Sequence, residues 1–158
     1  MLYDILNFFS RSISQILQEN ITEEEIKLLE EIRIRNNQNI ILKFNANEKT
    51  INYTVKPKDI LETLQNICEN SIYSYQKEIC EGYITIKGGH RIGITGNCVI
   101  ENNKVINIKY ISSLNFRIAK QIIGCSNNML HHIINRENNN IYNTLIVSLP
   151  RCRKNYTT

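Results

Sequence analysis

The sequence predicts an α+β domain, with N-terminal helices followed by short-stranded antiparallel sheets, and three observations lead there. Near the N-terminus apolar residues recur at helical spacing. Across residues 32–55 and again across 82–118 they alternate with polar ones, the period of a half-buried strand. Five of the six glycines fall between Gly82 and Gly96, inside the second alternating stretch.

In residues 2–17, Leu2, Ile5, Leu6, Phe9, Ile13, Ile16 and Leu17 share one helical face, with Asp4, Arg11 and Gln15 opposite. This predicts one amphipathic helix that packs on its own domain, since a membrane-surface helix carries a Lys/Arg-rich polar face and this one does not. Thr22 followed by Glu25 is a capping-box signature, and acids at 23–25 favour a helix N-terminus, so a second helix is expected over 23–31. Ile32/Ile34, Ile40/Leu42/Phe44 and Ile51/Tyr53/Val55 then alternate between Asn-rich turns, as in an antiparallel meander, with Arg33 and Arg35 on its solvated side.

Pro57 opens a helix that continues to Cys68, favoured by Pro in the first turn and by Asp59 near it. A short helix is expected over 71–80, with Tyr73 and Tyr75 at the core edge. The glycine-rich sheet follows. Ile84/Ile86, Ile92/Ile94, Ile106/Ile108/Tyr110 and Leu114/Phe116/Ile118 are expected on its core face, and Thr85, Arg91, Thr95, Lys109 and Arg117 on the other. A last helix over 127–135 leads into the polar run 136–140, a natural boundary. Residues 143–149 read as a buried strand. The expected organisation is an α+β domain over 1–140 and the beginning of something else over 141–158.

The chain has 158 residues, 42% of them hydrophobic and 22% charged, which suits one soluble domain with a real core. A net charge of +4 with interspersed signs gives no basic block, so a dedicated nucleic-acid partner is not expected. Five scattered cysteines without Cys-x-x-Cys or nearby His argue against zinc and suit reduced thiols in a cytosol. No run approaches the roughly 20 apolar residues of a membrane span, so a cytoplasmic location without a transmembrane segment is expected.

No catalytic residue and no metal ligand emerges from the pattern. His90 is a lone histidine at a turn, and His131 and His132 are neighbours on a helix whose side chains diverge. No Gly-x-Gly-x-x-Gly or Gly-x-x-x-x-Gly-Lys is present. The run Ile92-Gly-Ile-Thr-Gly96 does fit the Gly-x-x-Gly loop of KH domains, which makes an RNA-binding module on Gly93 to Gly96 the alternative reading. Against it, the run sits inside a period-two pattern, where glycines permit bends or close packing.

Gly82-Tyr-Ile-Thr-Ile-Lys-Gly-Gly-His-Arg-Ile-Gly-Ile-Thr-Gly96, Ile111-Ser-Ser-Leu-Asn-Phe-Arg-Ile-Ala119, Glu31-Ile-Arg-Ile-Arg35 and Asn143-Thr-Leu-Ile-Val-Ser148 together resemble the stage III sporulation protein AA family of endospore-forming bacteria. The resemblance implies an N-terminal accessory domain of a secretion-type P-loop ATPase, a cytoplasmic enzyme of the mother cell that energises the channel to the forespore. Implied partners are a membrane protein of that channel and full-length ATPase subunits as a homo-oligomer. In such ATPases strand arginines of the N-terminal domain reach over the bound nucleotide, and Arg91 and Arg117 resemble them.

Ser148-Leu-Pro-Arg-Cys-Arg-Lys-Asn155 stands where the family carries Ser-Pro-Pro-x-Cys-Gly-Lys-Thr, its phosphate loop. Lys154 matches. Arg153 replaces the glycine that lets backbone N–H groups face phosphate, and Asn155 lacks the hydroxyl that binds magnesium. The nucleotide-binding residues implied are therefore Lys154, Arg91 and Arg117. The expectation is a truncated relative or a non-functional gene remnant, with ATP and Mg belonging to the full-length family and no cofactor to this chain.

Overall fold

The computed structural model describes residues 5–45, 47–120, 124, 127–135, 138, 140–145 and 147. Two compact units emerge, Met1–Ala119 and Lys120–Thr158. The polar run 136–140 falls within the second.

The first unit opens with a correction. Instead of one helix over 2–17, residues 5 and 6 are helical, a turn follows in which the N–H groups of Phe8 and Phe9 donate to the carbonyls of Ile5 and Leu6 (3.1 Å each), and helix α1 begins afresh at Arg11–Asn20. Ser10 causes the break. Its Oγ accepts from the Ile13 N–H (3.4 Å) as an N-cap, its N–H donates to Thr63 Oγ1 (3.0 Å), and its hydroxyl donates to Asp59 Oδ1 (3.3 Å). Ser10, Thr63 and Asp59 are all buried, so this polar knot has no water to fall back on.

Helix α2 (Glu23–Leu28) carries the expected capping box, Glu25 N–H to Thr22 Oγ1 (3.3 Å) and Thr22 N–H to Glu25 Oε2 (2.9 Å). It stops short of Glu31 because Leu29 turns into the core and opens strand β1 (Leu29–Arg35). Strands β2 (Asn39–Phe44) and β3 (Asn47–Thr54) complete the antiparallel meander. Helix α3 (Pro57–Ile67) follows, the Asp59 carboxylate accepting from the Lys56 N–H (2.9 Å) at its start and from the Tyr53 hydroxyl (3.0 Å). The expected helix over 71–80 is a 3₁₀ turn (Ile72–Tyr75) running into α4 (Gln76–Glu81). Tyr75 packs on the core as expected, whereas Tyr73 is fully out in solvent.

Strands β4 (Tyr83–Thr85), β5 (Arg91–Glu101) and β6 (Lys104–Arg117) form the glycine-rich half. Asn102 and Asn103, both at positive φ (50° and 59°), make the two-residue turn of the β5–β6 hairpin, a geometry asparagine tolerates. All six strands join one sheet in the order β3-β2-β1-β6-β5-β4. Alternation holds along it: Ile32, Ile34, Ile40, Leu42, Ile84, Ile92, Ile94, Leu114 and Phe116 enter one core with Ile13, Leu17, Ile60, Leu64 and Ile79 from the helices.

One stretch of β6 departs from the expected faces. Register slips between Thr95 and Asn97, opposite Tyr110, whose φ of 49° marks a bulge. Gly96 permits the slip, since a Cβ there would lie 2.8 Å from Ile108 Cγ2 and 2.9 Å from the Lys109 carbonyl. The bulge throws Tyr110 outward, and Ile106 is exposed as well, so of that trio Ile108 alone stays in the core.

In the second unit, α5 (Asn127–Ile133) is shorter than expected because Ile134 and Asn135 form strand β7 (Ile134–Asn135), paired with β8 (Asn140–Ile141). The buried strand expected over 143–149 is not found among its described residues. Leu145 and Val147 are 87% and 82% exposed, because apolar alternation buries nothing without a ladder and a facing layer.

Candidate functional site

The face of the sheet opposite the core is where the sequence placed its working residues. One rung crosses it: Thr85 opposite Arg91, Arg91 opposite Arg117, Arg117 opposite Glu31, and Glu31 opposite Lys43. Directly opposed residues on adjacent strands have Cβ atoms about 5 Å apart, and like charges placed so are destabilising. Arg91 and Arg117 are both exposed and stand in that relation.

Glu31 is the acid within reach along the rung, but it is engaged elsewhere. Its carboxylate accepts from Arg33 Nε (2.7 Å), and Arg33 also pairs with Glu48 (3.1 Å). Burial raises the Glu31 pKa, yet hydrogen bonds from Arg33 and Asn115 and the charges of Arg33 and Lys43 more than reverse this and hold it below its ordinary value. Arg33, read from sequence as a solvated strand residue, is thus the partner that draws Glu31 away from Arg117. Among the described residues neither Arg91 nor Arg117 has a carboxylate within ion-pair distance. The Arg91 guanidinium lies over the Tyr83 ring, 5.6 Å from its centroid.

Two arginines on one rung, with no carboxylate among the described residues within ion-pair distance, can receive a polyanion, since each guanidinium can bind phosphate oxygens bidentately and the anion removes the mutual repulsion. The structure brings Arg91 and Arg117 together on one rung. Lys154 and the 148–155 run lie outside the described residues.

The run Ile92 to Gly96 lies within β5 and does not join two helices, so the KH-type loop geometry is absent. Rings of His131 and His132 do not diverge: their centroids are 4.0 Å apart, the exposed side chains rotating back onto each other. No group of three metal-ligating side chains occurs among the described residues, and no helix among them is long and apolar enough to cross a membrane.

His90 is the residue whose place sequence reasoning missed. It closes the turn, as expected, yet it is buried, and its Nδ1 accepts the Ala119 N–H (3.0 Å). The Gly-Gly-His order was the available signal, because the ring occupies space that a side chain at Gly88 would need: a Cβ there would lie 2.8 Å from His90 Nε2, and Gly88 has φ +90°.

A family model described as sporulation stage III, protein AA, matches residues 2–158. Stage III sporulation protein AA of Bacillus subtilis (strain 168) is 32% identical over 151 residues, which cover 96% of this chain and 48% of that protein. The chain therefore spans about half the length of this curated relative. Among solved structures, the Legionella pneumophila ATPase DotB aligns with a TM-score of 0.44 and 12% identity over 75% of this chain and 31% of that one. The VirB11 ATPase of the Brucella suis type IV secretion system, in complex with sulphate, aligns with a TM-score of 0.36 and 9% identity over 75% of this chain and 36% of its own.

Proposed function

This chain belongs to the sporulation stage III protein AA family, and from that premise we propose that its first unit is the accessory and docking part of an ATPase that energises the mother cell to forespore channel. On this reading it works on the cytoplasmic side of the mother cell against a membrane protein of the channel and alongside full-length ATPase subunits. Its own contribution to nucleotide is the Arg91–Arg117 pair, offered to ATP held with magnesium by a complete ATPase domain. The observation that carries the reading is that pair: two arginines in register on one rung, with no carboxylate among the described residues within ion-pair distance of either. Lys154 would add a phosphate contact in the family's manner, without the glycine and hydroxyl that normally flank it.

Phosphoryl transfer requires a phosphate cradle, magnesium ligands and a positioned water together. The 158-residue chain by itself is therefore expected not to turn over ATP. The test is to add it to the full-length Bacillus subtilis relative and measure association and ATP turnover for the wild type, Arg91→Lys and Arg117→Lys. Lysine keeps the charge and loses the fork, so weaker stimulation by both variants is expected. Equal association and stimulation by all three would reduce the arginines to surface charges, and turnover by the chain alone that Lys154→Ala abolishes would overturn the accessory role.

A further inference from the structure

We propose that His90 is a positioning residue for the Arg91–Arg117 pair, acting through its hydrogen bond to the Ala119 backbone. The proposal rests on the reading of that pair as an anion site. The β5–β6 ladder runs from Glu101 opposite Lys104, next to the closed Asn102–Asn103 turn, to Arg91 opposite Arg117 at the open end. The arginines thus occupy the terminal rung, where a ladder frays unless something beyond it ties the strands together. Mutual repulsion of two guanidiniums adds to the tendency to part.

Beyond that rung each strand is held to its outer neighbour. The Ile86 N–H donates to the His90 carbonyl (2.9 Å), continuing the β4–β5 connection, and the Ile118 N–H donates to the Glu30 carbonyl (2.8 Å), continuing β1–β6. Neither bond joins β5 to β6. The His90 side chain does: it follows directly before Arg91, and its Nδ1 takes the N–H of Ala119, two positions after Arg117. Because a backbone N–H can only donate, Nδ1 is the acceptor. His90 is 5% exposed and its ring is seated against Gly88, with Ala119 Cβ close to Gly89, so the tie is shielded from water. It therefore fixes the spacing of the two strand ends, and with it the backbone positions from which the two guanidiniums reach an anion.

Asn and Gln separate this role from a general packing role. The Asn amide can place an acceptor where Nδ1 lies, whereas the Gln amide places it where Nε2 lies. Isothermal titration of the full chain with inorganic tripolyphosphate at low salt is the assay, with Arg117→Ala locating the site. His90→Asn is expected to bind like the wild type. His90→Gln is expected to bind about tenfold more weakly, the fold-change that corresponds to one net hydrogen bond, while its circular dichroism stays native.

Equal affinities for the wild type and His90→Gln, or equal losses in both His90 variants, overturn the proposal. If the wild type does not bind, or binds no better than Arg117→Ala, the anion reading fails on its own account. Hydrogen exchange then decides the tie separately: the Ala119 amide should lose protection in His90→Gln and keep it in His90→Asn, and unchanged protection in both refutes the tie.

Discussion

Phe9 stacks on Phe116, ring centroids 4.2 Å apart and planes inclined by 29°, both rings buried. Phe9 ends the turn that interrupts the N-terminal helical pattern, and Phe116 lies on a central strand, so this contact fastens the first segment of the chain to the middle of the sheet. Phe116→Ala should cost about 3–5 kcal/mol, the usual loss for a large buried aromatic, and Phe9→Leu less, because volume is largely kept. Urea unfolding midpoints check both, and equal midpoints for wild type and Phe116→Ala would mean that the contact contributes nothing.

Gly96→Ala should destabilise by about 1–3 kcal/mol, the range for forcing atoms into a packed site. The new methyl would meet the Lys109 carbonyl and Ile111 Cα as well as the Ile108 side chain, and backbone yields less readily than a side-chain tip. Gly93→Ala is the control on the same strand, since the nearest atom to a Cβ there is 3.8 Å away. Thermal unfolding should rank them with Gly96→Ala clearly lower.

Thiol reactivity should separate Cys98 from Cys68. Cys98 is exposed, whereas burial pushes the Cys68 thiol up to about 11, with the charge of Glu78 adding to it. The thiolate is the reactive form, so Cys98 should be alkylated first at neutral pH and Cys68 only on unfolding. Mass spectrometry of labelled peptides reads the order, and prompt labelling of Cys68 in the folded chain would contradict it.

Acid should weaken the first unit in a way that Glu31→Gln flattens. The Glu31 pKa is held below 4.5 in the folded chain by Arg33 and Asn115, despite burial. A depressed folded pKa gives stability that is complete above the unfolded value and disappears as pH falls through the folded one, here in the acid range below about pH 5. Denaturant midpoints followed over that window should drop less steeply for Glu31→Gln than for the wild type.

Alternation along β1, the start of β5 and the end of β6 was readable residue by residue, because a half-buried strand imposes period two on its own sequence: Ile92 and Ile94 point in, Arg91 and Thr95 out. That Arg91 meets Arg117 was not readable. Their register depends on a bulge at Tyr110 and a two-asparagine turn, both of which are settled between strands. The break at Ser10 was hidden for a similar reason. Serine costs a helix little, and what decides the matter is a buried acceptor at Asp59 and a hydroxyl at Thr63, far along the chain. His90 resembled a turn residue until Ala119 supplied its partner.

The strand order β3-β2-β1-β6-β5-β4 means that the sheet is two meanders, the first running outward from the centre and the second inward to it, each closing through local turns. They share one seam, where Ile32 faces Phe116 and Ile34 faces Leu114. Contacts within a meander cost little chain entropy to form, while the seam joins segments separated by two helices, so its closure sets the pace of folding. Conservative truncations at Ile34 or Leu114 should slow refolding, whereas those within the β2–β3 hairpin, such as Ile51→Val, should chiefly hasten unfolding. A chain cut between α3 and α4 should accordingly yield two fragments that find each other through that seam and rebuild the sheet without a covalent link.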